Sequence, residues 1–168
     1  MAEDAFMWIK GGKPAVEGET SDDKMKANKA FELLSYSFGG YNQQDIGSGT
    51  HGAGQGKGEY GQLAITKNVD KASMTLFQNM LSGAHFDEAF VLIRRAGGEQ
   101  INFLEINMKK VFVANIDWSG GGGMLSESIV FGAGSIETKY TPQKADGKAD
   151  TPISALWSKI TNLPEFKV

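Results

Sequence analysis

Apolar and polar side chains alternate with a period of two along most of this chain, which predicts a mainly β protein. Residues 5–10 read as a short first strand. Residues 31–38 read as a second, with Leu34, Tyr36 and Phe38 on one face and Ser35 and Ser37 on the other. Residues 62–67 form a third, with Leu63 and Ile65 turned inward. Over residues 86–96 the alternation gives way to an unbroken run, Ala89-Phe90-Val91-Leu92-Ile93, the pattern of a strand buried on both sides. Residues 101–116 alternate again. Leu104, Ile106, Met108, Phe112, Ala114 and Ile116 are predicted to face the core, and Glu105, Asn107 and Lys109 the opposite side. A glycine break at Gly120 to Gly123 precedes another long strand over 124–140. There Leu125, Glu127, Ile129 and Phe131 share a face, followed by Ile136, Thr138 and Tyr140. Residues 153–160, with Trp157, close the sequence of strands.

One segment switches to a helical period. Asp70 is a fitting N-cap for a helix over Lys71–Ser82, Leu76, Phe77, Met80 and Leu81 supply an apolar stripe, and Gly83 supplies the stop. A helix of three turns is marginal alone and must dock on the sheet.

Seven or so strands with one helix predict an antiparallel sandwich or closed barrel in a single domain spanning residues 1–168. Closure is favoured because edge strands this apolar invite aggregation. Between the second and third strands, residues 39–61 hold nine glycines in 23 residues. Such a segment builds no core, and a compact domain seldom keeps one this long without a use for it.

Composition narrows the function. A chain of 168 residues can hide roughly 70% of its extended surface. A formal charge of −3 gives no electrostatic case for nucleic acid or an anionic membrane. No cysteine is present, so neither disulfides nor thiolate metal sites arise. Glu3 and Asp4 stand where a signal peptide needs positive charge, and Lys10 to Lys13 interrupt any apolar core of one. No stretch approaches a membrane span.

Candidate chemistry is sparse. Gly47-Ser48-Gly49-Thr50-His51-Gly52 fits the dinucleotide-binding spacing but sits among other glycines, without the preceding strand and following helix that bring a phosphate to a helix N-terminus. His51 stands where a phosphate-binding loop ahead of Gly56-Lys57 would need glycine. The two histidines, His51 and His85, read as solvated, as do the adjacent pairs Asp22-Asp23 and Asp87-Glu88. No catalytic, cofactor or metal site emerges. The Ser35 and Ser37 face reads as a solvent face in a monomer, and Glu105, Asn107 and Lys109 raise the same question.

Several segments together resemble the Hcp family, the tube-forming secreted proteins of the bacterial type VI secretion system. They are Pro142-Gln143-Lys144-Ala145-Asp146-Gly147-Lys148 after the long strand, Arg94-Arg95-Ala96-Gly97-Gly98 upstream, and the start Ala2-Glu3-Asp4-Ala5-Phe6. Gly18-Glu19-Thr20-Ser21-Asp22, Leu34-Ser35-Tyr36-Ser37-Phe38-Gly39, Ile65-Thr66-Lys67 followed by Asp70-Lys71-Ala72-Ser73, Val113-Ala114 and Trp157 add to it. Lys24, Met25 and Lys26 stand where the family often has a histidine, and Phe38 where tryptophan is common.

The resemblance implies an antiparallel β-barrel of two sheets with one flanking helix and a long glycine-rich loop, six copies of which form a ring. Rings stack into a hollow tube, with a VgrG-type spike, contractile sheath proteins and small effector proteins in the lumen as partners. No enzyme activity, cofactor, nucleic acid or membrane insertion is implied. The protein is expected in the bacterial cytoplasm before assembly, and then outside the cell, exported by the type VI machine without a signal peptide. On that reading Ser35 and Ser37 face the lumen, and Tyr41, Gln43, Gln44, Asp45, His51, Gln55 and Lys57 are the ring-stacking or subunit contacts. The chain also ends about eight residues after the last strand, which leaves no room for an appended toxin domain. The competing reading from fold alone is a monomeric or dimeric β-sandwich that binds a small ligand or carbohydrate in an aromatic-lined pocket.

Overall fold

The computed structural model describes residues 3–43, 57–95 and 100–168. In chain order it contains β1 (Glu3–Lys10), a single 3-10 turn (Lys26–Asn28), β2 (Phe31–Glu32), β3 (Ser35–Ser37), β4 (Gly40–Asn42), β5 (Gly58–Tyr60), β6 (Leu63–Asn68), α1 (Lys71–Ser82), β7 (Phe86–Arg95), β8 (Asn102–Gly121), β9 (Met124–Tyr140) and β10 (Ile153–Ser158). Every strand pairing is antiparallel. Eight strands hydrogen-bond into one curled sheet, in the order β2-β1-β7-β8-β9-β6-β3 with β10 added along β9, and β4 and β5 form a separate ribbon.

The main core lies inside the curl, built from Met7 and Ile9 of β1, Leu63 and Ile65 of β6, Val91 and Ile93 of β7, Ile106 and Met108 of β8, and Ile129 and Phe131 of β9. A smaller cluster on the other side of the sheet joins Phe6, Leu92, Met25 and Ala30. β7 is therefore buried on both sides, as its unbroken apolar run predicts.

The helix begins and ends where the sequence places it. The Asp70 carboxylate accepts from the Ala72 amide at 3.0 Å, and Ser73 Oγ accepts from the Asp70 amide at 3.0 Å. Gly83 closes the helix with φ of 66°, a left-handed cap that glycine adopts without strain. The buried face differs from expectation: Ala72, Ser73, Leu76 and Asn79 turn inward, whereas Leu81 is exposed. Phe77, half-buried, packs instead against Trp118, with ring centroids 4.8 Å apart.

Three strand predictions need correction. The expected strand over 31–38 is broken at Leu33, which is buried, and Leu34, which is exposed rather than on the face of Tyr36 and Phe38. The glycine-rich segment is not loop at its ends: Gly40 pairs with Tyr60, Tyr41 with Glu59 and Asn42 with Gly58. A Cβ on Gly40 would sit 2.8 Å from the Glu59 carbonyl oxygen, so this ribbon closes only around glycine.

The third concerns β8, where Phe112 and Ala114 were expected in the core but are exposed. Val111 and Val113 are buried in their place. Lys110 has φ of 51°, which reverses the alternation, and a register shift between Val113 and Asn115 reverses it again, so that Ile116 packs on the core. β9 changes phase at the rung opposite Lys110: Ile129 and Phe131 face the core before it and Ile136 after it. Gly134 fits closely there: a Cβ would meet Lys110 Cβ at 3.3 Å and Ile160 Cγ1 at 3.2 Å, so a larger residue would press on both side chains. This corner divides the β8–β9 ladder into a lower and an upper half.

Candidate functional site

Above the corner the sheet is four strands wide, in the order β8, β9, β6, β3. Directly paired residues project to the same side, so register defines the two faces. On the inner face Leu63 pairs with Phe131, and Ile65 with Ile129. The same face carries a buried charged network. Lys67 Nζ lies 2.6 Å from Asp70 Oδ1 and 2.7 Å from Glu127 Oε1, with Lys67 and Glu127 side chains 1% and 0% exposed. Trp118 Nε1 donates to Glu127 Oε2 at 2.7 Å, and the Ser73 hydroxyl donates to Glu127. The ammonium also lies 4.9 Å from the Phe31 ring centroid. Two carboxylates and the ring compensate this lysine, so the network fixes the helix on the barrel end rather than offering a reactive group.

The outer face is unlike it. Ser35 pairs with Thr66, Thr66 with Ser128, and Ser128 with Asp117. The next row runs Ser37, Ala64, Val130 and Asn115, and a third joins Asn68, Ser126 and Ser119. These side chains are small, most are hydroxylated or amide-bearing, and Asp117 is the one ionisable group among the three rows. Ser35, Ser37, Ser128, Asn115 and Asp117 are exposed. No described segment of the chain packs over them.

Below the corner the same side of the sheet is covered. Residues 25–30 lie over Phe6 and Leu92, and the C-terminal segment lies over Ser135, whose hydroxyl contacts the Trp157 and Glu165 carbonyls at 3.4 and 3.3 Å. Lys109 donates to the Phe166 carbonyl at 3.3 Å, Asn107 to Glu137 at 3.0 Å, and Glu105 faces Lys139 at 3.8 Å. The polar mid-strand residues of β8 are thus paired within the subunit and do not join the bare face.

The edges of the four-stranded part also differ from the rest. β7 pairs with β8 only as far as Val111, so residues 112–121 of β8 hydrogen-bond to β9 alone, and β3 hydrogen-bonds only to β6. Both rims of the bare face are strand edges that no described strand covers.

Of the residues singled out in the sequence, Ser35 and Ser37 lie on this face. Tyr41, Gln43 and Lys57 are exposed on or beside the β4–β5 ribbon, where the Tyr41 hydroxyl donates to Glu59 Oε2 at 3.2 Å. That bond to a carboxylate raises the Tyr41 pKa above its ordinary value. Gln44, Asp45, His51 and Gln55 lie outside the described residues. Thr66, Asn115, Asp117, Ser126 and Ser128 were missed; their alternation opposite Ile65, Ile116 and Ile129 was the available signal. A groove of about 430 Å³ between the ribbon and Trp157 is lined by Tyr41 and Tyr60.

One further expectation changes. Asp22 is not simply solvated: its carboxylate binds Arg94, which is 4% exposed and also reaches Asp4 Oδ2 at 3.3 Å. The guanidinium hydrogen bond, aided by the Met25 and Lys24 amides, holds the Asp22 carboxyl below its ordinary pKa. His85 is exposed, as its reading as a solvated residue expects, and its ring tilts against Phe112 with centroids 5.4 Å apart.

A curled antiparallel barrel with a small-residue outer face and rims that no described strand covers defines a structural subunit built to join others. The comparisons with known proteins place it. Residues 6–140 match the family model described as "Type VI secretion system effector, Hcp". Protein hcp1 of Pseudomonas aeruginosa is 36% identical over 105 residues, which cover 60% of this chain and 65% of that protein. A solved structure described as that of a type six secretion system protein superposes with a TM-score of 0.85 at 31% identity, covering 96% of this chain and 99% of that one. The crystal structure of Hcp1 from Salmonella typhimurium gives 0.74 at 25% identity, covering 96% and 98%. The chain belongs to the Hcp family of the type VI secretion system, a family of structural tube proteins and not of enzymes.

Proposed function

We propose that the bare four-stranded face lines the lumen of a six-membered ring, and that such rings stack into the type VI inner tube. The observation that carries this reading is the combination of a small-residue face and two strand rims that no described strand covers. A cyclic ring needs two different surfaces that meet, and the β3 edge and the upper β8 edge are two such surfaces. Joining them brings the outer faces of neighbouring subunits side by side into one wall.

Ser35 and Ser37 then face the lumen, where small uncharged side chains leave room for varied effector proteins. The ribbon residues Tyr41, Gln43 and Lys57, together with Gln44, Asp45, His51 and Gln55, act in contacts between rings or subunits. Contacts of this kind are weak singly and add up through sixfold repetition. The spike, sheath and effectors are the partners this role requires. Among the described residues, no helix is long and apolar enough to cross a membrane.

Native mass spectrometry with negative-stain imaging tests the assembly: six-subunit particles with a central hole are expected, and a stable monomer at micromolar concentration overturns it. Ser37→Trp tests the wall. Rings of unchanged mass that no longer retain an effector are the expected result, and unchanged retention removes Ser37 from the lumen.

A further inference from the structure

Asp117 departs from the chemistry around it. The rows Ser35-Thr66-Ser128-Asp117 and Ser37-Ala64-Val130-Asn115 run straight across four strands, and their other members carry hydroxyl, methyl or amide groups. Asp117 is exposed at the end of its row, and its carboxylate accepts a hydrogen bond of 2.5 Å from Asn115 Nδ2, two residues away on the same side of β8. No cation of the described chain pairs with it. Glu127 and Asp70, also near this end of the barrel, are engaged with Lys67 on the inner face.

We propose that Asp117 makes the channel wall selective for cationic cargo: it favours proteins whose buried surface presents lysine or arginine, and it disfavours acidic ones. The inference rests on the reading of this face as the lumen. The other described residues of these rows carry no charge and contribute little to discrimination, so this carboxylate sets their sign, and ring symmetry repeats it six times at one level. The Asn115 amide holds the carboxylate in place and leaves its second oxygen free for a guanidinium or ammonium. Each exposed charge pair is weak, worth a few-fold in affinity at most, but several engage one cargo at once. The position at the end of the row nearest the β8 edge sets the carboxylate beside the neighbouring subunit, so one basic side chain meets the border of two walls.

The test uses assembled rings of the full chain and two fluorescent peptides of equal length, one alternating serine with lysine and one alternating serine with glutamate. Fluorescence anisotropy at low salt is expected to show the basic peptide bound at least ~3-fold more tightly. That preference shrinks as salt shortens the screening length to about 10 Å at 0.1 M. Asp117→Asn is expected to abolish the preference and Asp117→Lys to invert it, with ring mass unchanged. A preference that survives Asp117→Asn overturns the proposal, as does equal binding of both peptides by the unmodified ring. Ser37→Trp separates this from the underlying reading. If it leaves the binding of both peptides intact, they bind elsewhere and the lumen assignment itself fails; if it blocks both, any failure belongs to Asp117 alone.

Discussion

Ser35 and Asp117 stand at opposite ends of a single row, separated by Thr66 and Ser128 and joined by three antiparallel pairings. Residues 82 positions apart in the chain are thereby made parts of one surface, and a change at any of the four positions acts on the same wall.

Ser128→Phe enlarges the middle of that row without touching the core. Surface changes of this kind shift stability by about 0.5 kcal/mol or less. The expected outcome is an unchanged melting temperature and intact rings, with effector co-purification sharply reduced. Thr66→Phe is expected to behave alike, whereas Glu105→Gln, below the corner, leaves co-purification as it was.

Removing the ammonium from the inner network strands a carboxylate. Lys67→Met leaves Glu127, 0% exposed, with a buried charge and is expected to cost about 3–5 kcal/mol in urea unfolding. The double variant Lys67→Met with Glu127→Gln is expected to cost clearly less than the two single changes added together, because the stranded charge is gone.

Acid weakens the Asp22–Arg94 contact. The Asp22 pKa is depressed in the folded protein from an ordinary value of 3.8, so its stabilisation is fully present above that value. It is lost as pH falls through the lower folded value. Asp22→Asn is expected to melt lower than the unmodified protein at pH 7, with the gap closing in the acid range below about pH 3.8. A gap that stays constant down to the acid unfolding of both proteins counts against the pairing.

The corner gives a fourth expectation. A β-branched residue at φ of 51° is strained, so Lys110→Val is expected to destabilise the protein by about 1–2 kcal/mol, while Lys110→Gly is neutral or slightly stabilising. Thermal unfolding of the two variants side by side reads this directly.

Local signals were legible and long-range ones were not. Asp70 and Gly83 carry their own capping chemistry, so both ends of α1 follow from the sequence. Ser35 and Ser37 are seen because Tyr36 lies between them. Phe112 and Ala114 were misplaced because nothing in the side-chain pattern reports a positive φ at Lys110 or a register shift after Val113. Asp22 finds Arg94 72 residues away, a pairing that only the fold creates. Asp117 and Ser128 alternate properly in their own strands, yet their membership of one face with Ser35 depends on a register that no single strand contains.

The shared rung at Lys110 and Gly134 governs where this chain can change in length. Losing one paired residue of β8 between the corner and the Gly122-Gly123 turn would swap the sides of all that follows it, whereas losing Ala114, which the register shift leaves unpaired, would keep Ile116 inward and Asp117 outward. In the first case a matching loss in β9 would be needed to restore the pairing. Insertions and deletions can therefore be absorbed singly in the connections outside the ladder and at the unpaired Ala114, but elsewhere within it only as compensated pairs, so the wall's chemistry is free to vary by substitution while its paired length is held fixed.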